Sequence, residues 1–566
     1  MIYKYIFSLA LLVPSLFAES QSYPQWDFRF PLDIDAVVSG SFGELRSNHF
    51  HSGVDLTTNG ETGLPVYSVD EGYVSRIVVS PVGFGKALYI DHPNGYTTVY
   101  AHLSGFNAVI EKKVIDLAYQ KQSFALDERF EPGEITVFKG EMIAYSGNSG
   151  SSGGPHLHFE IRETSQQKPV NVHKFNLPVE DKKAPHIQSV CIYPLNDVAS
   201  VNGRQKPLRI PTVFYNGAFH LRGNPKIEVS GTIGVGIETY DYYSHSWRKC
   251  GVYAITLRKD GDVIFRSQLD GFLFRDTRYI NSHIDYARKQ TTGVTIQKSF
   301  LDLNNRLNIY TTDENRGRIK TYAGVRQQLD YTVEDAAGNK SVLSFSVYGV
   351  QGNMLPKSKA LELIDPLKPY SFQKDGFQIS IPANTFYEPV VPDFRVIDAG
   401  RHSRIKMLDA QVPFQNYVEV TIPVPSDYQN QRGLTGVRVN NSGKITYAGG
   451  TLSEGTMVIR TRQGGIYGLA VDSLPPTIAP VRTPAGNNYR SREAIELRLD
   501  DDFSGVGEYH CTVDGAWALF EYDPKSKSLK GYFKHLRITK GGKHNLTVEV
   551  SDRAGNVAKW QTSFVY

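Results

Sequence analysis

Four histidines and one aspartate in the first third of the chain have the types and spacings that hold a metal beside a proton carrier. His51 and Asp55 are four residues apart in Asn48-His49-Phe50-His51-Ser52-Gly53-Val54-Asp55. An imidazole nitrogen and a carboxylate oxygen are ordinary zinc ligands, and Gly53 between them lets the backbone bend so that both side chains converge. A second piece reads Gly154-Pro155-His156-Leu157-His158-Phe159-Glu160-Ile161. Alternation is strict: Leu157, Phe159 and Ile161 take one face of a strand and His156, His158 and Glu160 the other. Two imidazoles on one face are too polar for a plain core face, and one can bind a metal while its neighbour faces a substrate. Glu160 shares their face, either supporting a ligand or as a solvated strand residue. A third piece, Tyr100-Ala101-His102-Leu103, ends another strand and brings His102 as a further imidazole.

The elements that must position these residues are strands. Short alternating runs bounded by turn residues recur, as in Val99 to Leu103 and Leu343 to Tyr348, which is the pattern of a mainly β chain. Ala108 to Leu126 is the one helical candidate, inserted between strands. The insertion 107–137 is long for a hairpin loop and is expected to wall the cleft. The Gly/Ser run Gly147 to Pro155 precedes the His-x-His strand and is expected to form a tight loop beside the cleft that admits a polymer. His92, in Asp91-His92-Pro93-Asn94-Gly95, reads as part of a hairpin turn and not as a ligand.

Taken together the pieces resemble the LytM/lysostaphin-like zinc peptidases of family M23 over about residues 38 to 165. His51-x-x-x-Asp55 is similar to that family's first motif, His156-x-His158 to its second, and Tyr100-Ala101-His102-Leu103 to the segment carrying its additional histidine. Gly63 to Tyr67, Gly72 to Val74, Gly83-Phe84-Gly85, Gly140 to Ala144 and Gly147 to Gly150 fit the spaces between. The resemblance implies a compact antiparallel peptidase sheet with one Zn2+ held by His51, Asp55 and His158. His102 and His156 would be the catalytic pair, and peptidoglycan stem peptides or cross-links the substrate. Three protein ligands leave a fourth position open for water, whose pKa zinc lowers towards about 7. Two rival readings are a cell-wall-binding or regulatory protein without turnover on the same scaffold, and a zinc peptidase acting on proteins. No His-Glu-x-x-His motif of the thermolysin kind is present.

Bulk properties set the context. The chain has 566 residues, too many for one core, with 62 Lys plus Arg against 58 Asp plus Glu. That near balance makes no argument for nucleic acid. Met1 to Ala18 (MIYKYIFSLALLVPSLFA) reads as a secretory signal peptide, and no later run is long and apolar enough to span a membrane. The mature protein is therefore expected in the periplasm or cell envelope, where either Cys191 and Cys250 pair and Cys511 is left over, or all three remain buried or partly oxidised thiols. The expected division is signal peptide 1–18, peptidase domain 25–180, β-sandwich domain 185–350 with an insertion, β-rich domain 355–472 and β-sandwich domain 473–566. Ser473-Leu474-Pro475-Pro476-Thr477 serves as the linker before the last domain.

An internal repeat ties the second and fourth domains together. Asp335-Ala336-Ala337-Gly338-Asn339 is echoed by Asp552-Arg553-Ala554-Gly555-Asn556, and Asp260-Gly261 by Asp514-Gly515. Asp bonds its own backbone two residues on, and Gly accepts a positive φ, so Asp-x-Ala-Gly-Asn is a turn. The pattern resembles the immunoglobulin-like or fibronectin-like β-sandwich modules of bacterial surface proteins. Ile379-Ser380-Ile381-Pro382 resembles ZU5-like β modules. Asp500-Asp501-Asp502 reads as a charged turn at a sandwich edge, with calcium binding through clustered oxygens as the alternative.

Overall fold

The computed structural model describes residues 26–175, 177–352, 362–397, 403–429, 431–440 and 443–566. The signal-peptide segment lies outside them. The chain is mainly β, and the four largest buried cores among the described residues follow one another along the chain.

The first core belongs to a nine-stranded sheet. Seven of its strands form one path: β1 (Val38–Gly40), β2 (Val54–Thr57), β3 (Gly72–Val79), β4 (Lys86–Asp91), β5 (Tyr96–Leu103), β6 (Leu126–Arg129) and β7 (His156–Glu163), in the spatial order β1-β2-β7-β5-β4-β3-β6. Alternation drives the sheet: Leu157, Phe159 and Ile161 of β7 are fully buried against Val54, Leu56 and Tyr100. The helix α1 (Ala108–Lys121) lies on this core through Ile110, Val114 and Ala118. Asn107 caps its N-terminus by accepting from the Ile110 N–H, and Gln122 ends it in a left-handed conformation. The helix therefore stops short of Leu126, which opens β6 instead.

Downstream, a 13-stranded sheet surrounds the second core, two five-stranded sheets the third and two four-stranded sheets the fourth. Both Asp-Gly turns adopt the positive φ pair expected of tight hairpins: 52° and 97° at Asp260-Gly261, 52° and 83° at Asp514-Gly515. The three cysteines are buried and free, so the Cys191–Cys250 pairing considered above does not form.

The regions are not strung out. A cluster of Phe42, Phe50, Leu269, Phe272, Tyr279 and Tyr387 joins the first three. Lys86 pairs with Glu521 of the fourth at 2.9 Å, both largely buried, and the Tyr119 hydroxyl donates to the His535 carbonyl at 3.1 Å. The insertion 107–137 thus docks the fourth region, through α1, and does not wall the histidine cleft. The reason is its place in the sheet: its strand β6 pairs with β3 at the edge opposite β2.

Candidate metal centre

Register alone brings two of the residues together. β2 and β7 pair antiparallel with Asp55 opposite His158. His51 sits just before β2, where its N–H donates to the Glu44 carbonyl at 2.9 Å. The Ser41 carbonyl accepts from His51 Nδ1 at 2.8 Å, and a carbonyl can only accept, so the His51 proton is on Nδ1 and the Nε2 lone pair faces inward. His158 is the mirror case. Its Nε2 donates to Glu160 Oε1 at 2.8 Å, which leaves Nδ1 for the centre. The three inward atoms form a nearly equilateral triangle: His51 Nε2 to Asp55 Oδ1 3.0 Å, His51 Nε2 to His158 Nδ1 3.0 Å, and His158 Nδ1 to Asp55 Oδ1 2.9 Å.

Two nitrogens and one carboxylate oxygen turned to a common point are a borderline donor set of the kind zinc takes in open three-ligand sites. The surroundings brace that set. Arg46 Nη2 holds the other Asp55 oxygen at 3.0 Å. Glu160, fully buried, accepts from His158, from the Ser52 hydroxyl at 2.5 Å and from Arg162 Nε at 2.5 Å. It is a positioning residue, not a solvated one. Burial works against the Glu160 charge, yet Arg162 and then His158 hold its carboxyl down at about 2. Asp55 is likewise well below the usual carboxylate range: burial raises it, but the surrounding histidines, His51 first, prevail. Burial also opposes a charge on His158, but Asp55 and Glu160 raise it to about 9.

His102 and His156 stand beside the triangle, their rings 4.9 Å apart. His102 ends β5 in the left-handed region at φ 60°. Its Nδ1 donates to the Ser149 carbonyl at 2.9 Å, and His156 Nδ1 donates to the Gly154 carbonyl at 2.8 Å. The Gly/Ser run therefore fixes both tautomers and leaves both Nε2 atoms as bases. His156 Nε2 lies 3.4 Å from Asp55 Oδ1. Burial, followed by the charges of His158 and His156, lowers His102 to about 3, so it rests as the free base.

All five sequence-predicted residues line one cleft of about 500 Å³. Its walls are Gly83, Phe84 and the 151–153 loop on one side, and Phe274 and Thr277 of the second region on the other. Thr277 Oγ1 accepts from the Phe50 N–H at 2.8 Å, and Phe274 lies under the Arg162 guanidinium at 4.6 Å. Nothing local in the sequence marks these two. Arg46, Ser52 and Arg162 also escaped sequence reading, because single polar residues beside strands carry no pattern. Gly53 is required for a different reason than bending: a Cβ there would meet the Phe159 carbonyl oxygen at 2.3 Å, so it permits the close approach of β7. His92 is a satisfied core residue, bonded to the Glu71 carbonyl and to Thr98 Oγ1.

The sequence profile of peptidase family M23 matches residues 49–116, and the chain carries a peptidase domain of that family. A profile described as a Zu5-like domain matches residues 362–472. An "uncharacterized metalloprotease" of Haemophilus influenzae is 34% identical over 139 residues, 24% of this chain and 24% of that protein. The "DD-carboxypeptidase/endopeptidase Mpg" of Neisseria meningitidis serogroup B is 31% identical over 149 residues, 25% of this chain and 28% of that one. The "peptidoglycan DD-endopeptidase ShyA" of Vibrio cholerae is 31% identical over 157 residues, 27% of this chain and 30% of that one. The shared stretch thus spans only about a quarter to a third of these relatives.

Proposed function

We propose that this protein is a zinc-dependent endopeptidase that hydrolyses amide bonds in the stem peptides or cross-links of peptidoglycan. The observation that carries the reading is the triangle of His51 Nε2, Asp55 Oδ1 and His158 Nδ1 with the imidazoles of His102 and His156 beside it. The substrate class rests on the printed activities of the similar proteins from Neisseria and Vibrio.

His51, Asp55 and His158 would hold the ion. When bound, zinc lowers the pKa of a water molecule and polarises the scissile carbonyl. The remaining chemistry falls to the chain. His156 Nε2 or His102 Nε2 takes the proton of the attacking water, and the same pair returns a proton to the leaving amine. Either imidazolium stabilises the oxyanion while it is charged. Arg46 keeps Asp55 ionised and aimed, and Glu160 keeps the His158 proton on Nε2. Phe84 and Phe274 give the cleft apolar walls. The site would work in the periplasm or cell envelope, where its substrate lies. Among the described residues no helix is long and apolar enough to cross a membrane.

Zinc content and muropeptide release from purified peptidoglycan, measured side by side on wild type and His158→Ala, test the reading. Wild type with one zinc that releases muropeptides, and a mutant with neither, is the expected result. A wild type that binds zinc but cuts casein and not peptidoglycan would leave the mechanism and overturn the substrate. Wild type without zinc would sink the reading and leave a binding module.

A further inference from the structure

The Asp-x-Ala-Gly-Asn repeat has no part in the histidine site, yet both copies build the same object. The first loop joins the strands Arg326–Glu334 and Lys340–Gly349, the second Lys543–Asp552 and Val557–Val565. In each, the asparagine N–H donates to one aspartate oxygen and its side-chain amide to the other. The distances are 2.9 and 2.8 Å for Asn339 on Asp335, and 2.8 and 2.7 Å for Asn556 on Asp552. The same amide also reaches the segment leading into its own region. Asn339 Nδ2 donates to the Asp181 carbonyl at 3.2 Å, and Asn556 Nδ2 to the Asp472 carbonyl at 2.9 Å.

The residue so captured is an aspartate both times, and a third carboxylate completes each group: Asp181, Asp241 and Asp335, and Asp472, Asp501 and Asp552. Within each triad one oxygen per residue lies within 4.8 Å of the others. Three carboxylates this close repel unless something positive sits among them. In the first triad the nearest lysine, Lys183, gives its amine to the Tyr243 and Ser246 carbonyls. Asp241 is only 2% exposed, and its Oδ1 is buried with no hydrogen-bond partner among the described residues. Burial, then the charges of Asp335 and Asp181, push its carboxyl up to about 8. In the second triad Asp501 Oδ1 is buried and unpartnered. So is the hydroxyl of Ser504, itself 2% exposed, whose N–H donates to Asp472 Oδ2 at 3.2 Å. Buried acceptors left open in this way call for an occupant.

We propose that Asp181/Asp241/Asp335 and Asp472/Asp501/Asp552 are two equivalent calcium sites, each pinning the segment that leads into a β module to that module's Asp-x-Ala-Gly-Asn loop. The donors are all hard oxygens, with no imidazole or thiolate among them, which selects calcium over zinc or copper. The groups come from three separate segments of chain in each site, an arrangement that suits calcium's larger and looser shell better than magnesium's tight octahedron. The competing occupant is a proton on Asp241.

Calorimetric titration of CaCl2 into the full chain, stripped on a chelating resin and reloaded with one equivalent of zinc, tests the proposal. Wild type should take up two calcium ions with dissociation constants of about 0.1–1 mM, the range of extracellular modules. Asp241→Asn and Asp501→Asn should each retain one ion and the double variant none. Independently of any variant, millimolar calcium should raise the wild-type melting temperature and equimolar magnesium should not. A wild-type stoichiometry other than two, or uptake that survives both substitutions, overturns the proposal. So does a melting temperature indifferent to calcium.

Discussion

The histidine centre and the two aspartate triads are the same kind of object, three converging side chains that could hold a metal, built by opposite means. In the centre, strands do the work: antiparallel register sets Asp55 against His158, and every inward atom is fixed by a bonded partner behind it. In the triads, loops do the work, and oxygens are left without partners. A strand-built site is formed before its ion arrives, whereas a loop-built site gains its order from the ion. The first suits chemistry, which needs atoms held in place. The second suits joining one module to the next.

That contrast can be broken most severely at the ligands. His51→Ala, Asp55→Ala and His158→Ala should each abolish zinc binding and peptidoglycan digestion while leaving calcium uptake at two ions. Metal analysis beside calorimetry checks this, and loss of both metals in one variant would mean the sites are not independent. His102→Ala and His156→Ala should keep zinc but lose turnover by at least about a hundredfold, the usual size of a lost proton carrier. A His156→Ala protein as zinc-poor as His158→Ala would instead make His156 a ligand. Glu160→Gln should weaken zinc about 10–100-fold, as loss of a ligand's outer partner does, in competition with a chromophoric chelator.

The smallest effect lies between the regions. Burial opposes the Glu521 charge, but Lys86 and then His535 lower its carboxyl from the usual 4.5 to about 2. A depressed carboxylate contributes stability above its unfolded pKa and loses it as pH falls through the folded one. The contact with the fourth region should therefore weaken between about pH 4.5 and 2. Glu521→Gln should flatten that part of the melting-temperature profile. An unchanged profile would show that the pair contributes nothing.

How much of this could be read beforehand follows from the same contrast. Period-two alternation put His156, His158 and Glu160 on one face, and the structure has them there. The β character and the tight Asp-Gly turns were equally legible, because they are local. Three features were not. The insertion 107–137 looked like a cleft wall because its length says nothing of which sheet edge its strand joins. Phe274 and Thr277 line the cleft from more than a hundred residues downstream of His158, where no local pattern marks them. Asp181 and Asp241 are single residues that gain meaning only through the repeated Asp-x-Ala-Gly-Asn loop. The Asp500–Asp502 run showed only part of itself: Asp501 joins a triad, while Asp500 pairs with Lys527 at the surface.

The shared wall of the cleft bears on how such a protein can be cut and recombined. Because Thr277 accepts from the Phe50 backbone and Phe274 lies under Arg162, part of one wall of the trough belongs to the second region. A fragment ending near residue 180 keeps every ligand and both bases, yet opens one side of the trough to solvent. Its preference for long or short strands would then differ from that of the intact chain. Grafting the first region onto foreign modules would transfer the scissors without the gauge that sets what fits between the blades.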